Sequence, residues 1–546
     1  MKRTGWYCTT IVWLLACTVH AASPSVRNGG GEDILLQGFH WNSSRNTPQK
    51  WYEVLAQMAP TIGQDGFTKI WLPPAWTDQS SWSDAASGTS GGGEGYFWSD
   101  FDKNSRYGSD SQLKQAVAAL AGAGVQAIYD VVPNHMNDKL PSQQIRFPRG
   151  LKLWRDDCTT PIVCDEGDAF MSGSADLNTS NSEVSQRFMQ EFRNLRDNYS
   201  AKGLRFDFAR GYAAERVDVW MKNFGDQAFC VGELWKGPSE YPANDWRSQA
   251  SWQDALKDWS DRSHCSVFDF ALKERMQNGS VAEWRHGLNG NPDPAWRQIA
   301  VTFVDNHDTG YSPGQYGGQH HWSLADPQRN IAYAYILLSP GTPAVYWPDM
   351  YDWGRGDLIR ELISLRKGAG IRADSPISFQ PHYSGLVAAI QGSRKRLLIA
   401  FPDHGLDGMR TDVRGNLYIA RYGAGTVAVV SPQGELLHEV RLKGRKPTNV
   451  AFGGLKADTR LPVEVTAENL TVNQTDGTAI FSGDVLVKQG EMRMQAGEVR
   501  VEYDATGKAI SRLLATGGVL VVNATDAAEA AAADYTIATG EVVMTG

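Results

Sequence analysis

Val125-Gln-Ala-Ile-Tyr-Asp-Val-Val132, followed at once by Pro-Asn-His135, is the stretch on which the fold turns. It is a short apolar run ending in an acid, and the amphipathic segment Asp110–Ala123 precedes it. Seven further runs repeat the theme: Ile34–Phe39, Phe67–Leu72, Leu204–Phe208, Ala228–Trp235, Val267–Phe270, Ile299–Val304 and Pro343–Trp347. Helical stretches such as Glu183–Ala201 lie between most of them. Eight strands alternating with helices predict a parallel sheet closed as a (β/α)8 TIM barrel, an α/β fold. An open doubly wound sheet is the alternative, but no Gly-x-Gly-x-x-Gly turn follows the first run.

Working outward, the connection 136–182 is long and rich in Asp, Gly, Pro and Ser, as functional loops in compact domains are. After Arg372 the pattern changes to short β-like runs, Ile377–Phe379, Gly385–Ile390 and Arg396–Phe401. Composition shifts there too. All 19 Trp lie between Trp6 and Trp353 and all 6 Cys between Cys8 and Cys265, so the C-terminal third reads as a segment of different origin. Of the 546 residues 42% are hydrophobic and 21% charged, enough to bury a core. A net charge of -8 argues against nucleic acid as a partner. No 18-residue apolar run predicts a membrane span.

At the N-terminus, Lys2 and Arg3 precede Ile11–Ala16, and small residues end at Ala21–Ala22. Residues 1–22 therefore read as a cleavable signal peptide, giving a secreted or periplasmic protein. Lipidation at Cys17 is the alternative. Removing the signal leaves four cysteines, an even number in an oxidising compartment, with three pairings open.

Barrel chemistry belongs at the C-terminal ends of strands. Those ends carry Asp130, Asp207, Glu233, Asp305 and Asp308, with Asn134, His135, Arg205 and His307 beside them. Period-two geometry puts Arg205 and Asp207 on one face, which favours an ionised Asp207. Neighbouring negative charges are expected to raise Glu233, so that it holds a proton near neutrality. One bare and one protonated carboxyl are what glycosidic cleavage requires.

Asp130-Val-Val-Pro-Asn-His135, Gly203-Leu-Arg-Phe-Asp-Phe208, Gly232-Glu-Leu-Trp235 and Phe303-Val-Asp-Asn-His-Asp308 resemble, in order, the four signature regions of the α-amylase family. Residues 25 to about 400 resemble its bacterial maltotetraose-forming branch, including Gly93–Trp98 and Gly237–Pro242. The resemblance implies a retaining hydrolase that cuts α-1,4 bonds of starch to short maltooligosaccharides. Asp207 would be the nucleophile, Glu233 the acid/base and Asp308 the third acid. Tyr96, His135, Arg205 and His307 would bind the sugar at the cleavage point, with Trp41, Trp82 and Trp235 stacking along the glucan. It also implies structural calcium (Ca2+) held by Asn134, Asp165, Asp168, Asp176 and the Gly211 carbonyl, oxygen ligands suited to that ion. It supports the disulfides Cys158–Cys164 and Cys230–Cys265. Two departures stand out. Asn28–Asp33 lacks a histidine that some relatives use for a second calcium, and Ser174 replaces an acid thought to recognise the non-reducing end.

On this reading residues 23–372 form the barrel and 373–401 a truncated β-sandwich. Leu406–Arg421 and Lys446–Gly454 resemble gluconolactonase-type propellers, which makes 402–454 a fragment of about one blade, with Asp407 matching a metal ligand of that family. Leu461–Ala467, Phe481–Val487 and Ala515–Val521 resemble the periplasmic β-jelly-roll family that carries lipopolysaccharide, so 455–546 is that domain and lipopolysaccharide its implied partner. Three families meeting at truncated edges suggest a chimera. A monomer is expected. The alternative function is a periplasmic lipid-binding β protein carrying an inactive barrel.

Overall fold

The computed structural model describes residues 26–84, 89–157, 167–170, 175–314, 317–379, 389–391, 405–412, 414–432, 434–442, 444–447, 461–473, 478–490, 492–504, 509–522 and 527–545. The chain divides into two compact units, 1–393 and 394–546.

In the first unit the eight runs form one closed parallel barrel. Its strands are β1 (Leu35–Gln37), β2 (Lys69–Leu72), β3 (Gln126–Val131), β4 (Gly203–Phe206), β5 (Phe229–Gly232), β6 (Ser266–Phe268), β7 (Ala300–Phe303) and β8 (Thr342–Tyr346). Closure is made by β1, which pairs Leu35 with Ala344 of β8 on one side and with Lys69 of β2 on the other. Apart from Gln126 every residue of these strands is buried, so the runs are mostly apolar on both faces instead of alternating with solvated residues.

Each strand is followed by a helix: α1 (Trp51–Gln64), α2 (Asp110–Gly122), α3 (Ser182–Asn198), α4 (Ala214–Phe224), α5 (Trp252–Ser263), α6 (Phe270–Asn278), α7 (Asp326–Leu338) and α8 (Gly356–Gly368). Local sequence sets their ends. Ser109 starts α2 with a capping box, its hydroxyl taking Gln112 N while Gln112 Oε1 takes Ser109 N. In α3, Val184, Phe188, Phe192 and Leu195 recur at helical spacing and form its buried face.

The tryptophans divide between core and mouth. Trp71, Trp76, Trp98, Trp154, Trp220 and Trp284 are fully buried, so much of the Trp richness is packing. Cys230 and Cys265 form a disulfide joining the start of β5 to the start of β6. Replacing both by Ser removes a cross-link between positions 35 apart in the chain. We expect about 3–4 kcal/mol of lost stability, read as a lower urea midpoint of tryptophan emission. The other expected pair, Cys158–Cys164, lies outside the described residues, as do residues 1–22, Asp165 and Ser174.

Past α8, β9 (Ile377–Phe379) pairs antiparallel with β10 (Ala389–Gln391). The second unit contains a four-stranded antiparallel meander: β11 (Gly405–Thr411), β12 (Leu417–Tyr422), β13 (Thr426–Val430) and β14 (Leu436–Arg441). It also contains a seven-stranded antiparallel sheet: β15 (Glu464–Thr466), β16 (Asn469–Asn473), β17 (Thr478–Gln489), β18 (Met492–Tyr503), β19 (Ile510–Val522), β20 (Ala527–Thr536) and β21 (Glu541–Thr545). Its strands alternate as expected. In β18, Met492, Met494 and Ala496 face inward, a bulge shifts the register, and Val499 and Val501 continue the buried face. Val485, Val487, Leu513, Val521 and Tyr535 complete this core.

Candidate active site

The expected acids do converge at the C-terminal ends of β3, β4, β5 and β7. Arg205, the third residue of β4, organises three of them. Its Nη1 lies 2.6 Å from Asp207 Oδ1 and 3.0 Å from Asp130 Oδ1, and its Nη2 lies 2.6 Å from Glu233 Oε1. The guanidinium has no exposed surface. Its contact with Glu233 lacks hydrogen-bond geometry, and Glu233 Oε1 has no hydrogen-bond partner among the described residues. The other carboxyl oxygen, Oε2, accepts Phe208 N at 3.1 Å.

Burial is the largest influence on Glu233, with the charges of Asp207 and Asp308 adding to it and Arg205 opposing, and its pKa is pushed up to about 8. The sequence expectation placed the cause in the neighbouring charges alone. Desolvation outweighs them because the side chain is almost wholly enclosed. Asp308 is raised to about 7, again by burial first. Burial also raises Asp130. Its two oxygens nonetheless meet only donors, from Arg205, Trp71 Nε1 at 3.0 Å and Tyr96 Oη at 2.9 Å, which leaves a proton on it no acceptor.

Asp308 follows β7 on a tight turn. Asn306 Oδ1 accepts Asp308 N and Thr309 N, and Thr309 Oγ1 accepts Asn306 N. Beneath the turn, fully buried Asp305 accepts from Lys273 of α6 at 2.7 Å, Thr309 Oγ1 at 2.9 Å and Arg329 of α7. Arg329 also pairs with Asp349. Lys273 and Arg329 were not legible as site supports, because cations on helices read as solvated.

The sugar-binding expectations fall into two groups. Tyr96, Trp41 and His307 gather beside the acids. The rings of Trp41 and Tyr96 stack at 5.8 Å, and Tyr96 and His307 at 5.2 Å. Trp82 lies 6.1 Å from Trp41, so these side chains make one aromatic wall. His135 stacks on Phe170 at 3.8 Å, and its buried Nε2 has no hydrogen-bond partner among the described residues. Burial lowers His135 to about 4, so it is neutral at physiological pH. Trp235 belongs to the second group. With Phe208, Arg210, Glu233 and Glu240 it lines a cavity of about 350 Å3, and its ring stacks on Phe270 and Trp322 at 5.4 and 6.0 Å.

Four expected calcium ligands are described. Asn134 Nδ2 donates to Asp176 Oδ1 at 3.1 Å. A Cβ on Gly211 would come within 2.1 Å of Asn134 Oδ1, so only glycine brings that backbone so close. Among the described residues buried Asp176 has one cationic partner, Arg155 at 3.6 Å, and burial raises it to about 6. Asp168 pairs with Lys236 and Arg210, each at 2.7 Å, so its carboxylate faces two cations. Among the described residues no three His, Cys, Asp or Glu side chains converge as a metal cluster. No helix among them is long and apolar enough to cross a membrane.

A barrel with paired carboxyls and an aromatic wall at its mouth defines the chain as a glycosidase. Comparison with known proteins gives its branch. It is 63% identical over 380 residues to the glucan 1,4-alpha-maltotetraohydrolase of Stutzerimonas stutzeri, covering 69% of each chain. It is also 63% identical over 379 residues to that of Roseateles saccharophilus, covering 69% of this chain and 68% of the other. A probable alpha-amylase 2 of Arabidopsis thaliana is 30% identical over 383 residues, covering 67% of this chain and 87% of that one. The chain belongs to the glucan 1,4-alpha-maltotetraohydrolase family. Residues 351–405 match that family's domain C, 383–461 the SMP-30/gluconolactonase/LRE-like region, and 464–546 the LptA/LptD N-terminal LPS transport family.

Proposed function

We propose that the chain hydrolyses α-1,4 bonds of starch with retention of configuration, releasing short maltooligosaccharides such as maltotetraose. The observation that carries this is the single guanidinium shared by Asp207 and Glu233. It holds the two carboxyls close, as suits the ~5–5.5 Å spacing of retaining enzymes better than the ~6.5–9.5 Å of inverting ones. Asp207 attacks the anomeric carbon while the glycosidic C–O bond breaks, and Glu233 gives its proton to the departing oxygen. The glycosyl–Asp207 ester is then cleaved by water, which returns a proton to Glu233. Asp308 holds the sugar hydroxyls, Tyr96, His135, Arg205 and His307 surround the ring, and Trp41, Trp82 and Trp235 stack along the chain.

Asn134, Asp168, Asp176 and Gly211, with Asp165, would hold calcium. Oxygen-only donors fit that ion, and among the described residues buried Asp176 has a single cationic partner, Arg155 at 3.6 Å. Bound there, calcium supplies the charge that pins the loop after β3 over the cleft. The Cys230–Cys265 disulfide supports a secreted or periplasmic location, and the match of 464–546 supports lipopolysaccharide as a ligand of that segment. The barrel itself would act as a monomer.

The test is digestion of soluble starch by the full chain across pH, with chromatography of the products. Maltooligosaccharides should appear, and chelation of calcium should suppress them. The alkaline limb of kcat/KM should fall near pH 8, where the coupled acids around Glu233 lose their proton. Absence of oligosaccharide release from folded protein would refute the proposal.

A further inference from the structure

Gln37 is the last residue of β1, 2% exposed, and no sequence motif draws attention to it. Its amide Nε2 lies 2.8 Å from His307 Nδ1. An NH2 group can only donate, so Nδ1 accepts and the ring's one proton belongs on Nε2. The opposite side of the ring demands the same arrangement. Tyr96 has a single hydroxyl proton and gives it to Asp130 Oδ2 at 2.9 Å. Its 2.7 Å contact with His307 Nε2 therefore needs the proton of the imidazole. Asp308 Oδ2, 3.2 Å from that nitrogen, is also an acceptor.

The other states of the ring fail. Turning the Gln37 amide would put a proton on Nδ1 and leave Nε2 bare, facing Asp308 lone pair to lone pair, and the single Tyr96 hydroxyl proton could then serve Nε2 or Asp130 but not both. An imidazolium would set Nδ1–H against the Gln37 NH2. Burial, together with the Arg205 charge, also holds His307 well below its usual pKa. Phe39 and Trp71, with ring centroids at 5.0 and 5.4 Å, fix the plane of the imidazole but offer it no hydrogen-bonding side chain.

We infer that Gln37 is a positioning residue that locks His307 in the Nε2–H tautomer, so that a single N–H is aimed at the place where a sugar hydroxyl would sit between Tyr96 and Asp308. The inference rests on the hydrolase reading above. A sugar oxygen entering there finds a fixed donor from His307 and the carboxyl of Asp308 beside it. Both are oriented before binding, and preorganised donors and acceptors lower the cost of reaching the transition state.

The test is 15N NMR of the full chain labelled at histidine, with His307→Asn identifying the ring's signals. The wild-type ring should show a pyridine-type Nδ1 and a pyrrole-type Nε2, unchanged between pH 5 and 8. Gln37→Met keeps the volume and removes the donor. It should mix the tautomers and lower kcat about tenfold, with KM for a maltooligosaccharide changed less than about twofold. Gln37→Glu, which can only accept, should move the proton to Nδ1 and cost more. A wild-type ring protonated at Nδ1, or Gln37→Met with unaltered tautomer and kcat, overturns the inference. The wild-type spectrum decides even if Gln37→Met does not fold. If Asp207→Asn remained active while the Nε2–H tautomer was found, the hydrolase mechanism would fall and the tautomer lock would stand.

Discussion

Asp207→Asn should lower kcat on soluble starch by about 10⁴-fold or more, with the protein folded and still able to bind substrate. The amide is nearly isosteric, so packing around β4 is kept. What is lost is the electron pair that forms the glycosyl ester. Glu233 can still protonate the leaving oxygen, but without a nucleophile 2.6 Å from Arg205 the developing positive charge on the sugar has no covalent outlet. Glu233→Gln should be comparably inactive toward starch for the complementary reason. Isothermal titration with maltotetraose separates the two losses from a loss of binding. A folded Asp207→Asn protein that turns over starch within tenfold of wild type would exclude the mechanism.

Arg205→Met is the second large effect. It should destabilise the first unit by about 3–5 kcal/mol, because Asp130, Asp207 and Glu233 are then buried together without their cation. The loss should depend on pH with a definite sign. Glu233 is already raised to about 8 in the folded protein, and removing Arg205 raises it further. Groups raised on folding bind protons more tightly in the native state, so that stability is present at low pH and lost as pH rises through their folded values. The variant should therefore unfold nearer to the wild-type midpoint at pH 5 than at pH 9. Equal penalties at both pH values would show that Arg205 acts mainly through packing. Arg205→Lys should recover little, since a point charge cannot reach three acids placed around a planar fork.

What could be read from the chain and what could not have separate physical causes. The eight barrel strands were legible because a strand buried on both faces leaves a largely apolar run, as in Val125–Val132. Asp207, Glu233 and Asp308 were legible because each lies within such a run or a few residues past its end. Gln37 was not. One amide on a strand carries no pattern, and its meaning comes from His307, 270 positions away in the chain. Lys273 and Arg329 were hidden for a related reason: their helices look amphipathic, and only the barrel's closure brings Asp305 beneath both. The cause of the raised Glu233 pKa was misjudged in weight because sequence shows neighbouring charges but not enclosure.

The confinement of every tryptophan to residues before 354 has a practical side. Intrinsic indole fluorescence reports on the first unit alone, and the long sheet of the second unit is optically silent in that channel. A denaturation curve followed by indole emission would thus describe the first unit, residues 1–393, whereas far-ultraviolet dichroism would sum over both units. Any divergence between the two traces would measure how independently the units melt.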